Sequence, residues 1–115
     1  MHKVEDLKIW KKSIELAKSV YELASELPSD EKFGLISQIK RCSVSISSNI
    51  AEGAGRNSNK EFKYFLSIAN GSTYELQTQL LLIIELKLLK KENVQPLIDV
   101  CIELQKMNYS FQKKL

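Results

Sequence analysis

The stretch SSNIAEGAGR, residues 47–56, contains residue types that could bind a phosphate or take part in acid–base chemistry. It combines two glycines, Gly53 and Gly55, with the carboxylate of Glu52 and the guanidinium of Arg56. The phosphate loop of P-loop proteins follows a strand and has the spacing GxxxxGK[ST]. In this stretch one residue separates the glycines and no GK[ST] follows. The spacing therefore argues against a loop of that kind.

Residues that commonly support catalysis or metal binding are scarce. The single histidine, His2, lies next to the N-terminus, and there is no HExxH motif and no Glu-x-x-His repeat. Cys42 and Cys101 lie among apolar neighbours and form no CxxC pair, so we expect small buried side chains in a reducing compartment. We therefore assign no catalytic residue and expect a non-enzymatic protein with no cofactor, no metal and no small-molecule substrate.

The net charge of +3 is concentrated in one segment. Positions 40–63 hold five basic and two acidic residues, whereas the rest of the chain holds twelve of each. Arg56 and Lys60 flank the predicted start of a helix, whose free N–H groups attract anions. The candidate nucleic-acid contacts are Lys40, Arg41, Arg56, Lys60 and Lys63.

Two observations favour the alternative that these basic residues form an ordinary solvated face rather than a nucleic-acid contact. A charge of +3 and a pI near 8.8 are low for a nucleic-acid-binding domain. The nearby aromatic residues Phe62, Tyr64 and Phe65 lie mostly at core spacing, which does not predict a surface for base stacking. For a monomer, the solvated face is the preferred interpretation.

The surrounding sequence predicts four amphipathic helices. The chain has only 4 glycines and 2 prolines, so few residues interrupt helices. Apolar residues recur at helical spacing through four segments, with charged residues on the opposite faces. The predicted helices span about 6–27, 31–53, 59–89 and 94–113.

Local signals mark where these helices begin. Ser58 followed by Glu61 forms a capping box, Glu31 suits the positive end of a helix dipole, and Pro96 suits a first helical turn. The predicted N-caps are Asp6, Ser29 or Asp30, Ser58 and Asn93.

The second helix has a competing interpretation. Residues 42–47 alternate between apolar and polar types and include β-branched Val44 and Ile46, as a short strand would. We favour a helix because no other segment offers a partner strand, and a lone strand leaves its backbone groups unsatisfied. At the end of this helix, Gly53 or Gly55 suits a left-handed C-cap.

Four long helices with short turns predict an all-α fold, an antiparallel up-down-up-down four-helix bundle in a single domain over residues 1–115. The third helix carries more apolar surface than one bundle core needs. Its C-terminal part lies either at a subunit interface or at the centre of the core. No signal peptide or membrane span is visible, so we expect a cytoplasmic protein. The candidate interface residues are Leu81, Leu82, Ile84 and Leu88.

Several separated segments resemble one known family. SVSISSNIAEGAGR and FKYFLSIANGSTYELQTQLLL, preceded by LKIWKKSIELA and FGLISQIKR in the same order, resemble the ribosomal intervening-sequence proteins, also called the four-helix bundle protein family. The resemblance implies a four-helix bundle assembled as a homopentamer, with a poorly defined cellular role. The chain is also similar to accessory proteins of diversity-generating retroelements, which form basic pentamers that associate with a reverse transcriptase and nucleic acid.

The chain departs from the family pattern at two positions. Ser47 stands where the family often has proline, and Asn70 stands where arginine is common, which removes a positive charge. The shared residues Asn49, Glu52 and Gly53 are interpreted as structural. Five copies at +3 each would carry +15 on one particle, which brings RNA or DNA binding level with the solvated-face interpretation. The alternative function is a protein–protein scaffold that does not contact nucleic acid.

Overall fold

The computed structural model describes residues 2–115, which form four α-helices. These are α1 (Lys8–Ala24), α2 (Leu35–Ala54), α3 (Asn59–Glu85) and α4 (Lys91–Lys113). Helices adjacent in sequence pack side by side, and α4 also packs against α1, which closes the bundle. The described residues form no strand. The predicted all-α, up-down-up-down four-helix bundle is therefore confirmed.

The apolar stripes of all four helices meet along the axis of the bundle. Val20 of α1, Ile39 of α2, Leu66 of α3 and Leu104 of α4 are buried in one apolar cluster. Burial of such stripes drives helix packing, since each large aliphatic side chain contributes roughly 1.5–3 kcal/mol when it leaves water. Within residues 2–115, no helix is both long enough and apolar enough to cross a membrane.

Residues 42–47 lie inside α2, so the helical interpretation of the alternating segment is confirmed. Its serines fit the helix because they bond to it. The Ser43 hydroxyl donates to the carbonyl of Lys40 at 2.9 Å, and that of Ser47 donates to the carbonyl of Val44 at 3.2 Å. A buried hydroxyl paired in this way can lie on an apolar face without a large desolvation cost.

The first two helices begin later than predicted because a short 3₁₀ turn precedes each of them. Val4–Asp6 forms one turn, so α1 begins at Lys8 and Asp6 is not its cap. Ser29–Glu31 forms the other, so α2 begins at Leu35, and neither Ser29 nor Asp30 caps it. The carboxylate of Glu31 instead accepts a hydrogen bond from the N–H of Leu35 at 3.2 Å.

The starts of α3 and α4 differ in how well local signals predicted them. Ser58 Oγ accepts from the N–H of Glu61 at 3.2 Å, which confirms the predicted cap of α3. The fourth helix begins at Lys91, because Lys90 is the last extended residue, and Asn93 is not a cap. Pro96 consequently lies at the sixth helical position rather than in the first turn.

Three helix ends differ from the prediction. The first helix ends at Ala24, three residues before the predicted end. The C-cap of α2, Gly55, has φ −83° and no glycine in the described chain has a positive φ, so the predicted left-handed cap is wrong. The third helix ends at Glu85, four residues before the predicted end. There Lys87 takes φ 58°, and the N–H groups of Lys87 and Leu88 donate to the carbonyls of Ile84 and Ile83. This is a Schellman motif, which ends a helix firmly.

Candidate nucleic-acid interface

The α2–α3 corner, which we define as residues 53–65, depends on a close approach of the two helices. A Cβ on Gly53 would lie 2.8 Å from Cδ1 of Phe62 and 2.9 Å from Cβ of Phe65. Only a residue without a side chain fits this position. Gly53 thus brings the end of α2 onto the first turn of α3 and fixes the position of Arg56 between them.

The five basic candidates do not form one cluster within a chain. Arg56, Lys60 and Lys63 are exposed at the corner, whereas Lys40 and Arg41 lie in the second turn of α2, towards its N-terminal end. Helix geometry separates Arg41 from the corner by about 20 Å. That exceeds the screening length of about 8 Å at physiological ionic strength, so the two groups act independently. Lys40 moreover turns towards α1, with Nζ 4.9 Å from the ring centre of Tyr21.

Arg56 is held by two neighbours. Its guanidinium donates to Oε1 of Glu52 at 2.6 Å and its central carbon lies 4.8 Å from the ring centre of Phe65. The ion pair is exposed and stabilises the fold only slightly. A phosphate at Arg56 would have to compete with the Glu52 carboxylate for the same guanidinium.

The surface on the two sides of Arg56 differs in chemistry. One open hollow of about 690 Å³ includes the carboxylates of Glu52 and Glu61. The other, about 510 Å³, is lined by Arg56, Lys60, Tyr64 and Phe65, together with Glu61. Only the second hollow combines cations with aromatic rings, which is the combination that single-stranded nucleic acids bind.

The aromatic residues of the corner occupy three different environments. Phe62 is buried in the core and Phe65 is half-buried, as their spacing predicted, but Tyr64 is 63 % exposed. The Tyr64 and Phe65 rings meet edge to face at 5.2 Å. Two residues along the helix from Phe62 is a rotation of about 200°, so Tyr64 faces away from the core and offers an exposed ring that core spacing did not predict.

Asn49 contributes to a hydrogen-bonded connection between helices. Its Nδ2 donates to the carbonyl and the hydroxyl of Ser45 at 2.8 and 3.1 Å. The hydroxyl of Ser45 lies 2.8 Å from that of Ser72 on α3. Glu52 pairs with Arg56 four residues on, and among the three shared motif residues Gly53 is the one in direct contact with another helix.

The cysteines do not form a reactive pair. Cys42 and Cys101 are buried and unbridged. Burial, reinforced by the hydrogen bond and the charge of Glu75, raises the pKa of Cys42 to about 12, and burial alone raises the pKa of Cys101 to about 12. The thiolate is the nucleophilic form, so both remain inert near neutral pH. Across residues 2–115, no three metal-ligating side chains lie close enough to hold an ion.

The four candidate interface residues lie in two environments. Leu81 and Leu82 are 50 % and 45 % exposed, whereas Ile84 and Leu88 are half-buried and pack against the core. Leu81 and Leu82 are thus available to a partner surface in the isolated chain, and the other two serve the bundle itself.

A second basic and aromatic surface, which was not predicted from the sequence, lies between α3 and α4. Tyr74 and Asn70 of α3 and Lys106 and Tyr109 of α4 line an open groove of about 490 Å³. The spacing of Lys106, Tyr109 and Lys113, three and four residues apart, places them on one face of α4. This spacing in α4 could have been recognised in the sequence. The α3 side of the groove could not, because Asn70 and Tyr74 lie more than thirty positions before Lys106.

Comparisons with known proteins agree with this architecture. Residues 5–110 match the sequence model of the 23S rRNA-intervening sequence proteins. A crystal structure from Bacteroides thetaiotaomicron, described as a protein with unknown function from the S23 ribosomal protein family, is similar with a TM-score of 0.85. It is 28 % identical, and the match covers 91 % of this chain and 98 % of that one. No curated protein matches. The chain belongs to the 23S rRNA-intervening sequence protein family.

Proposed function

We propose that the protein is a non-enzymatic accessory protein that binds RNA through phosphate contacts at the α2–α3 corner. The observation that carries this proposal is the exposed group of Arg56, Lys60 and Lys63 beside the exposed ring of Tyr64. Cations position the phosphate backbone, and an exposed ring accepts a stacked base. Lys40 and Arg41 lie too far along α2 to contribute to the same contact in one chain.

Binding by a single chain is weak under this proposal. Glu52 pairs with Arg56, and Glu61 adds a second negative charge beside the three cations at the corner. Assembly changes the balance, because linked copies of a weak site bind one long RNA with higher avidity. A homopentamer, as the family resemblance implies, carries +15 and five corners. Leu81 and Leu82, exposed on α3, are the residues we propose for contacts between copies.

The corner is tested by replacing two of its cations. An Arg56→Ala/Lys60→Ala variant should bind an RNA oligomer more weakly, and the slope of log K against log salt should fall by about 1.4, at ~0.7 per phosphate for single strands. Fluorescence anisotropy over a salt series measures both quantities. Lys8→Ala/Lys18→Ala, which removes two exposed cations from α1, is the matched control. Equal affinity and slope in wild type and corner variant would exclude the site.

The assembly is tested independently of RNA. Sedimentation should give about 66 kDa for five chains of 13.2 kDa. Leu82→Glu should lower that mass, since the side chain is about half exposed and its replacement leaves the core of the single chain intact. A wild-type mass of 13.2 kDa would remove both the ring and the multiplication of charge.

The second candidate function is a protein–protein scaffold. The exposed leucines Leu81, Leu82 and Leu86 favour it, because apolar side chains close together on a surface suit a protein partner better than RNA. Co-purification of a partner that persists after nuclease treatment and in high salt supports the scaffold, because phosphate contacts weaken steeply with salt. Loss of the partner under either treatment supports the RNA function.

A further inference from the structure

The α3–α4 groove is built from two exposed tyrosines. Tyr74 of α3 and Tyr109 of α4 are 54 % and 65 % exposed, and both line the same open groove of about 490 Å³. Tyrosine rings so exposed contribute little to folding, because most of their apolar area stays in water. Two rings from different helices in one groove offer flat surfaces on which bases can stack.

The cations around this groove lack the carboxylates that offset those of the corner. Lys106 lines the groove, and Nζ of Lys113 lies 4.7 Å from the ring centre of Tyr109. Lys63 lies on the same face of α3, two turns before Asn70. Among the described residues that line the groove, none is acidic. The carboxylate of Glu103, also on α4, is paired with Lys12 of α1 on another face of the bundle, at 3.3 Å.

Asn70 lines the groove on the α3 side. Its Oδ1 is buried and has no hydrogen-bond partner within residues 2–115, whereas the neighbouring Gln105 donates to Oε1 of Gln77 at 2.5 Å. Replacing the Asn70 side chain therefore breaks no hydrogen bond of this oxygen. The position, one turn before Tyr74, can accept a longer side chain that extends into the open groove.

We propose that the α3–α4 groove binds single-stranded RNA, with bases stacked on Tyr74 and Tyr109 and phosphates contacted by Lys106 and Lys113. Alternating rings and cations without carboxylates match the chemistry of a nucleic-acid single strand, whose bases are flat and whose backbone is negative. This proposal rests on the proposed RNA function, but it concerns a second surface, formed by residues other than Arg56 and Lys60. Lys63 of the corner lies about 10 Å before Asn70 along the same face of α3.

The experiment compares base-containing and abasic oligomers bound to the full chain. Tyr109→Ala should weaken binding of a labelled 12-nucleotide oligouridylate by about 5- to 150-fold, the range for loss of one stacked base, and leave the abasic 12-mer unchanged. Lys106→Ala/Lys113→Ala should weaken both oligomers and lower the salt slope by about 1.4. All three side chains are exposed, so these variants keep the core.

Two further variants separate the groove from general effects. Lys32→Ala/Phe33→Ala removes another cation–ring pair, 5.6 Å apart, at the opposite end of the bundle, and should bind like wild type. Asn70→Arg adds a cation to the groove and should raise the salt slope by about 0.7, a gain that misfolding cannot imitate.

The outcomes distinguish the groove from the corner. A wild-type protein that binds neither oligomer overturns both proposals. The groove proposal alone is overturned if the corner variants lose binding while Tyr109→Ala and Asn70→Arg bind like wild type. Equal affinity for oligouridylate and the abasic 12-mer would exclude base stacking and therefore the groove proposal. A preference for duplex RNA would also exclude it, because the bases of a duplex are already stacked on one another.

Discussion

Gly53→Ala is the substitution that most directly tests how α2 and α3 pack. The new Cβ would lie 2.8 Å from a ring carbon of Phe62 and 2.9 Å from Cβ of Phe65. Carbon atoms in contact lie about 3.5–4.0 Å apart, so α2 and α3 have to separate by roughly 0.6–1.2 Å. Phe62 is only 1 % exposed and has no space to turn into, and the Phe65 Cβ is attached to the backbone of α3. Neither neighbour can move without disturbing the helix that carries it.

The net effect combines a packing cost with a gain in helix propensity. Overfilling a packed core costs about 1–3 kcal/mol, and two contacts with fixed groups place Gly53→Ala near the upper value. Alanine recovers at most about 1 kcal/mol of helix propensity. We therefore expect the free energy of unfolding to fall by about 2 kcal/mol, which lowers Tm by roughly 8 °C in a domain of this size.

Gly71→Ala provides a control with the same chemical change. Gly71 also lies inside a helix, α3, but an added Cβ there meets no atom within 4 Å. This variant should gain about 0.5–1 kcal/mol from propensity and from the reduced entropy of the unfolded chain. Thermal and urea unfolding followed by circular dichroism at 222 nm, a wavelength that reports helix, measures both variants. If Gly53→Ala unfolds at or above the wild-type temperature, the close approach of α2 and α3 is not the reason for glycine at this position.

Three further predictions concern helix ends and the buried thiols. Lys87→Gly should stabilise the protein by about 0.5–1 kcal/mol in urea unfolding, because glycine adopts φ 58° without strain, whereas Lys87→Ala keeps the strain and should not stabilise. Ser58→Ala should cost about 1 kcal/mol, since the N–H of Glu61 loses its side-chain acceptor, and Ser58→Asp should restore it. Stability should fall as pH rises from 9 towards 12, because an unfolded Cys101 thiol loses its proton near 9.0 and the folded one near 12. The slope is up to ~1.4 kcal/mol per pH unit for each such thiol, and urea unfolding at pH 8, 9 and 10 should show a shallower fall in Cys101→Val.

The sequence predicted the helices well where one periodic pattern and one strong cap coincide. Ser58 and Glu61 are adjacent in space whenever a helix starts between them, so the cap of α3 could be read locally. The helical state of residues 42–47 required an argument about the whole chain. Local propensity favoured a strand, and only the lack of a partner strand excluded it. In the structure, burial of Cys42 and Ile46 on the core face outweighs that propensity.

Helix ends were less predictable because the apolar pattern of the sequence can continue past the residue at which a backbone turn ends the helix. The leucines after Glu85 continue the pattern of α3, yet Lys87 reverses the chain in a left-handed conformation that residue type does not announce. Gly53 illustrates the converse. A glycine near a helix end suggested a left-handed cap, but its φ is not positive and its role is to admit Phe62 and Phe65. Only the packing of a second helix reveals that requirement.

The number of charges in a segment of sequence does not predict the charge at one place on the folded surface, and the two proposed RNA-binding surfaces show why. The basic residues of positions 40–63 form two groups about 20 Å apart along α2. At the corner, Arg56 is already paired with Glu52. The segment that contains Lys106 and Lys113 has no marked basic excess. Lys106 nevertheless lines a groove with Tyr74 and Tyr109 in which no lining residue is acidic, and Lys113 lies beside the Tyr109 ring. An RNA strand senses the local potential rather than the composition, so the uncompensated lysines should contribute more to affinity per charge than Arg56. The salt dependence of RNA affinity in Lys106→Ala and Arg56→Ala would rank the contributions of the two cations directly. A larger loss of affinity in Arg56→Ala would contradict this expectation, because it would show that phosphate readily displaces Glu52 from Arg56.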